Sequence, residues 1–304
     1  MATVRGNTYT FYARDGQRVY PEIVRYVLEQ GLRRAPRGEL TRDVGLAVIV
    51  LETPRQALPV GLGRDVNRNI AAAEAIQLIG GFAQPDLLTR ASPNFKRYAR
   101  PDGTFHGAYG ARVKYQVGAA VAKLRKDPDT RQAVITLWDP WLDNLEGEKD
   151  YPCTVMIQFE TNERELCMNV VMRSSDVWLG LPYDMFQFGQ LQLSVARTLG
   201  MTPGWYQHTT LSLHLYERDV AAARQLAKIK IPSDFRVQPE GIGRDGDSFT
   251  EIMKRARQVV NAGTNGLELH EPTRSELWYV ERFASYMGRD VVGGGADDRA
   301  AEPV

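Results

Sequence analysis

The sequence predicts an α+β fold. Helix-type and strand-type periodicities are mixed along the chain without regular βαβ alternation. The clearest strands cluster in the middle of the chain, and the helices lie on either side and between them. With 304 residues, 43% of them hydrophobic, there is ample material for a large core.

The elements follow in order. Pro21 to Arg33 carries a start signal and apolar periodicity and is expected as the first helix. Asn67 to Ile79 follows, with Ile70, Glu74 and Leu78 on one helical line. Val113, Val117, Ala120 and Leu124 make a third apolar stripe, ended by Asp127-Pro128-Asp129. Gln132–Trp138, Thr154–Glu160 and Leu166–Arg173 are rich in β-formers, with turn chemistry at Thr161-Asn162. Met185, Phe188, Leu191, Val195 and Leu199 form another helical stripe, starting after Pro182 and stopping at Gly200. Thr209–Tyr216 alternates as a strand: Leu211, Leu213 and Leu215 face one way, Ser212, His214 and Tyr216 the other. Ser275 to Met287 reads as a late helix. No internal repeat and no domain boundary stands out. The glycine-rich, acidic stretch Gly293 to Val304 reads as a disordered tail after one unit spanning 1–292.

Charge and cysteine content narrow the function classes. The formal net charge is +1, from 38 basic and 37 acidic residues, so neither a nucleic-acid backbone nor a membrane is demanded as a partner. A few local arginines could still hold an anionic small molecule. Two cysteines, Cys153 and Cys167, do not make a secreted disulfide framework. No apolar run nears the ~20 residues needed to span a bilayer. The expected location is the cytoplasm. The four histidines and two cysteines lack metal-ligand spacing, and no phosphate-cradling GxxxxGK[ST] or GxGxxG occurs.

Several residues could carry chemistry. Taken alone, Cys153 at the start of an apolar strand reads as a buried structural cysteine. A nearby cation would favour its thiolate, and Arg173 could supply one if the two strands pair through a short turn. Arg173-Ser174-Ser175-Asp176 and Gly180-Leu181-Pro182-Tyr183-Asp184 crowd polar groups at a strand end and a helix start, a place suited to phosphate recognition. Locally, Asp184 is equally an N-cap and Asp176 equally a turn residue. Glu74 points with an apolar face, which suits either a buried carboxyl of raised pKa or an edge position reaching solvent. His214 and Tyr216 could hydrogen-bond a sugar or simply occupy a half-exposed sheet face.

Taken together, these pieces resemble the thymidylate synthase superfamily. The match runs through Pro152-Cys153, Gln158-Phe159, Arg173-Ser174-x-Asp176, Gly180-Leu181-Pro182 and His214-Leu215-Tyr216, in the family's order and spacing. Weaker agreement lies upstream at Asp127-Pro128-Asp129-Thr130-Arg131, Tyr109-Gly110 and Glu74. The resemblance implies a thymidylate synthase-like fold: a mixed β-sheet core packed with helices, with a homodimer formed through the sheet. It implies that Cys153 attacks C6 of a pyrimidine nucleoside monophosphate, so that C5 can accept a one-carbon unit from 5,10-methylenetetrahydrofolate. Glu74 would organise water and proton transfer, and Tyr109 would help remove the C5 proton. Arg173 and Ser174 would hold the phosphate, with Arg37 as a mobile arginine and Arg131 donated across the dimer. His214 and Tyr216 would hold the sugar hydroxyl. Asp176, with Leu179 and Gly180, would face the folate.

The departures sharpen the expectation. Thymidylate-forming members carry Asn where this chain has Asp184, and an Asn amide suits uracil. Cytosine presents a donor amino group and an acceptor N3, which a protonated carboxyl can answer. Asp184 therefore resembles the deoxycytidylate hydroxymethylases, which capture the C5 methylene with water. Thr154 replaces the usual His after the cysteine, Gln132 replaces a second arginine, and the tryptophan-rich folate wall expected near Asn94-Phe95 is missing. The leading expectation is a dCMP (or CMP) 5-hydroxymethylase serving DNA modification or a nucleoside product, placed in a host cytoplasm if phage-encoded. Ser174 favours deoxyribose. The alternatives are a thymidylate synthase or dUMP hydroxymethylase, and an inactive scaffold that binds a nucleotide or RNA.

Overall fold

The computed structural model describes residues 8–64, 66–229 and 238–287. The tail expected from Gly293 lies outside the described residues. In chain order the strands are β1 (Tyr9–Ala13), β2 (Leu32–Arg34), β3 (Thr41–Asp43), β4 (Ala47–Leu51), β5 (Val134–Thr136), β6 (Thr154–Asn162), β7 (Glu165–Met172), β8 (Ser175–Asp176), β9 (Thr202–Thr210) and β10 (Leu213–Tyr216). The α-helices are α1 (Gly16–Gln30), α2 (Arg68–Gly80), α3 (Asp86–Ala91), α4 (Tyr109–Val113), α5 (Gln116–Lys126), α6 (Pro140–Asp143), α7 (Leu181–Leu199), α8 (Val220–Leu226), α9 (Phe249–Asn265) and α10 (Arg274–Ser285).

The main sheet has the order β1-β4-β9-β7-β6-β5 and is mixed: β1 with β4 and β7 with β9 are parallel, the other neighbours antiparallel. A smaller sheet, β2-β3-β10-β8, stands beside it. The α+β expectation and the mixed sheet packed with helices are both realised. No helix among the described residues is long and apolar enough to cross a membrane.

Helix α7 is the axis of the molecule. All of its residues except Arg197 and Leu199 are buried, the pattern of a helix enclosed on every side. Met185, Phe188, Leu191 and Val195 join the core under the sheet with Phe159, Val170 and Tyr206. Tyr183 and Phe186 join a second core with Ile76 and Ile79 of α2 and Ile252 and Val259 of α9. Buried Gln190 on α7 is satisfied on both sides: its Nε2 donates to Pro239 O (2.8 Å) while its Oε1 accepts from Gly241 N (3.0 Å). Pro182 in the first turn and left-handed Gly200 at the end (φ 66°) bound this helix as the sequence predicts.

Four expectations need correction. The first helix begins at Gly16, because Asp15 caps it by accepting the Arg18 N–H, and Pro21 lies inside it; Leu32–Arg34 are strand. The third stripe is divided between α4 and α5, although Val113, Val117, Ala120 and Leu124 are all buried. The late helix starts at Arg274 and ends at Ser285, set by a Thr273–Glu276 capping box. Thr209–Tyr216 is not one strand. The chain leaves the main sheet after Thr210, turns at Leu211-Ser212, and re-enters the smaller sheet as β10. Leu213 and Leu215 are buried as alternation requires, but Leu211 sits in the turn and is exposed.

Candidate active site

Strands β6 and β7 form the hairpin that the sequence implies, although the turn falls at Glu163-Arg164 rather than Thr161-Asn162. Pairing brings Arg173 back beside Cys153: the Arg173 N–H donates to Cys153 O at 2.8 Å. The guanidinium donates from Nε to Pro152 O (2.9 Å) and from Nη2 to Tyr151 O (3.3 Å), and Nη2 lies 3.8 Å from the Cys153 sulfur. It also lies over the Trp138 ring, 5.5 Å from the centroid. The arginine therefore positions the Tyr151–Cys153 backbone as well as facing the thiol. Its charge does not set the thiol's resting state. Burial pushes the Cys153 pKa up to about 11; Arg173, and Arg37 from its exposed loop, pull the other way without prevailing.

Cys153 opens onto a cleft of about 180 Å³. Glu74 from α2, Tyr109 from α4 and Asp184 from α7 line the same cleft. Gly110 makes this convergence possible: a Cβ there would lie 1.9 Å from the Gln77 carbonyl oxygen, so only glycine lets α4 press onto α2 with Tyr109 in the cleft. The Tyr109 hydroxyl accepts the Thr154 N–H (3.2 Å), one residue beyond the cysteine, and its ring stacks on Phe188. Thr154, in place of the expected His, is buried and turns its hydroxyl to the Met172 sulfur at 2.9 Å.

Among the described residues, the carboxyls of the cleft form no ion pair. Gln187 Nε2 donates to Asp184 Oδ1 (3.1 Å) and reaches Glu74 Oε2 (3.3 Å), joining them into one polar wall. Burial pushes Glu74 well above the carboxylate range, and Asp184 adds to it. Burial lifts Asp184 to about 7; the Gln187 hydrogen bond opposes this and Asp176 reinforces it. The N-cap reading of Asp184 falls away, since Gly180 is the N-cap of α7; Glu74 is half-buried and lines the cleft. Gln187 was not singled out from the sequence. Its only local sign is the spacing of three from Asp184 on one helix face.

A second group adjoins the first through the smaller sheet. His214 pairs with Asp176 in register, and its Nδ1 lies 3.4 Å from Ser174 Oγ. Tyr216 meets His214 edge-on at 5.3 Å and lies under the Arg218 guanidinium at 4.1 Å. Asp176 does close a turn, accepting the Trp178 N–H at 2.8 Å, and burial raises its pKa. Asp176, Leu179 and Gly180 do not line the cleft. Gly180 adjoins it, since a Cβ there would lie 3.4 Å from Asp184 Oδ2, and Leu179 is exposed. Arg131 is exposed near β5 and not part of this gathering; its carbonyl accepts from Gln158 Nε2. The remaining cleft wall has no tryptophan near Asn94-Phe95, in line with the sequence, but it is aromatic: Phe95, Tyr98 and Phe105 line it.

With this geometry in view, the comparison with known proteins is direct. A family model described as thymidylate synthase matches residues 18–238. The chain belongs to the thymidylate synthase family. Two relatives are named deoxyuridylate hydroxymethyltransferase. One, from Bacillus phage SP01, is 27% identical over 231 residues, covering 70% of this chain and 60% of the relative. The other, from Pseudomonas phage M6, is 27% identical over 224 residues, covering 71% and 64%. The match spans less than two thirds of the length of either relative. All the residues gathered around Cys153 lie within the matched family region.

Proposed function

We propose that this protein is a pyrimidine nucleotide 5-hydroxymethyltransferase. It transfers a one-carbon unit from 5,10-methylenetetrahydrofolate to C5 of dCMP, and water completes the hydroxymethyl group. The observation that carries this reading is Asp184, a buried carboxyl with a pKa near 7 in the cleft of Cys153. In its neutral form it accepts from the cytosine amino group and donates to N3. Gln187, fixed on Asp184 Oδ1, limits how the carboxyl can turn.

The positions support the following course of reaction. Cys153 is a thiol at rest and gives up its proton as the base binds, then attacks C6. Tyr109, hydrogen-bonded to the residue after Cys153, helps remove the C5 proton. Burial holds Glu74 well above the carboxylate range, which suits it to serve as a donor within the polar wall. The folate supplies the one-carbon unit, with Phe95, Tyr98 and Phe105 as its aromatic wall and Asp176, Leu179 and Gly180 at its margin. Arg173, Ser174 and Arg37 bind the phosphate; His214 and Tyr216 bind the sugar. A homodimer through the main sheet is part of the proposal. The sheet's outer face leaves Val171, Met156 and Trp205 half-buried and Val134 exposed, and Arg131 of the partner subunit would complete the phosphate site.

A second reading, dUMP as substrate, is favoured by the names of the two phage relatives. The same neutral carboxyl answers uracil if its hydroxyl donates to O4 and its carbonyl accepts from N3–H. Product masses after incubation with dCMP, CMP and dUMP plus methylenetetrahydrofolate separate the readings. The expected product is 5-hydroxymethyl-dCMP with no stoichiometric dihydrofolate. Reaction of dUMP alone selects the second reading, and dihydrofolate accumulation rejects hydroxymethylation.

A further inference from the structure

One carboxyl of the cleft has no part in the chemistry above. Asp150 lies three residues before Cys153 and lines the same cleft. Its Oδ2 accepts the Gly107 N–H at 3.0 Å, and Oδ1 has no hydrogen-bond partner among the described residues. The placement depends on glycine. A Cβ on Gly107 would sit 3.0 Å from Asp150 Oδ2 and 3.1 Å from the Pro152 nitrogen, so the bare backbone makes room for the carboxylate beside the nucleophile's strand. Asp150 is also close enough to Cys153 to raise its thiol pKa.

We propose that Asp150 is the general base that activates the capturing water. This rests on the hydroxymethyltransferase reading. After the one-carbon unit has left the folate, the base carries an exocyclic methylene at C5 and the Cys153 sulfur at C6. A water held by Asp150 forms a C–O bond to the methylene carbon, and its proton passes to the carboxylate. The methylene π pair moves into the ring toward C4. When it returns, the C5–C6 double bond forms and the C6–S bond breaks, its pair leaving on Cys153. The products are the hydroxymethyl nucleotide, a free thiolate and one proton on Asp150, with no net oxidation or reduction.

The other acidic groups of the cleft are less suited to this step. Glu74 is lifted well above the carboxylate range, and its Oε2 is engaged by Gln187. Tyr109 is lifted further still above neutrality, chiefly by burial. Asp184 is engaged by Gln187 at the base-reading wall. Burial also raises Asp150, opposed by the Gly107 N–H, His106 and Arg112; what sets it apart is an Oδ1 with no hydrogen-bond partner among the described residues, on a side chain that lines the cleft three residues before Cys153.

The test uses the full-length protein with Asp150→Asn, which preserves an oxygen for the Gly107 N–H. Two rates are read: release of the C5 hydrogen from a 5-tritiated nucleotide, and formation of the hydroxymethyl product. The expected result is a loss of at least ~10²-fold in product, with tritium release within about threefold of the unchanged protein. That split separates a capture base from a merely structural residue and shows that the variant is folded. Gly107→Ala, which displaces the carboxylate, should give the same split to a smaller degree. Equal loss of both rates, or product at the unchanged rate, overturns the role of Asp150 alone. If the unchanged protein makes no hydroxymethyl product, the parent reading fails and this one fails with it.

Discussion

Two of the regions that hold buried carboxyl groups treat them in opposite ways. Beside the cleft, Asp143 accepts from both nitrogens of the Arg112 fork, Nη1 at 2.5 Å and Nη2 at 2.8 Å, and lies 2.6 Å from His106 Nε2. Arg100 continues this network to His106 Nδ1 and Glu148. Inside the cleft, Glu74 and Asp184 share only a neutral amide, and neither forms an ion pair among the described residues. Burial raises all three. For Asp143 the Arg112 guanidinium, the Asp139 N–H and His106 outweigh it, and the net shift is downward. For Glu74 nothing compensates, and for Asp184 the Gln187 hydrogen bond opposes the rise without prevailing. A paired carboxylate is architecture, fixing the α6 region against the loop at His106. An uncompensated one is held for a ligand, at a cost to the free protein.

The comparison can be broken most severely at Asp143. Asp143→Ala leaves Arg112 buried without its partner, and the expected loss is ~3–5 kcal/mol in denaturant unfolding. An effect under 1 kcal/mol would mean that the network is not structural. Because the folded pKa of Asp143 lies below its ordinary value, its contribution is present above that value and is lost as pH falls through the folded one.

Asp184 has the opposite sign. Its folded pKa of about 7 lies above the ordinary 3.8, so its protonated form is the one the fold tolerates. The stability associated with it is whole below 3.8 and declines as pH rises towards about 7, by roughly 1.4 kcal/mol per pH unit in the ideal case. Asp184→Asn should flatten that decline in unfolding measured at pH 5, 6, 7 and 8. It should also move base preference from dCMP towards dUMP and remove the fall in kcat/KM for dCMP above about pH 7. An unchanged preference would remove Asp184 as the base reader.

The smallest effect is expected at the rim of the paired network. Glu148 and Arg100 keep 27% and 35% of their side chains exposed, and water screens such pairs. Glu148→Gln should cost ~1 kcal/mol or less in thermal or denaturant unfolding. A loss as large as that of Asp143→Ala would show that the network acts as one unit rather than as a buried centre with a soft edge.

Much of the cleft was legible because it is written locally. Pro182 and Gly200 bound α7, the β6–β7 hairpin follows from two β-rich runs, and the spacing of Cys153, Arg173, Asp176, Gly180 and His214 carries the family resemblance. The parts that were not legible depend on distant chain segments. Leu211 continues the alternation of β10, yet the chain changes sheets there. Gln187 gains meaning only when α2 brings Glu74 across to it. Asp150 is an ordinary loop acid until Gly107, far upstream, leaves space for its carboxylate.

The sequence by itself determined which chemical groups are present and the order in which the chain delivers them. That is a matter of residue type, turn and cap chemistry, and spacing along an element. The tertiary structure alone decided their protonation. Whether a carboxyl is held low by an arginine, as Asp143 is, or raised towards neutrality, as Asp184 is, depends on burial and on partners tens of residues away. Electrostatic energy falls off with distance through space, not along the chain.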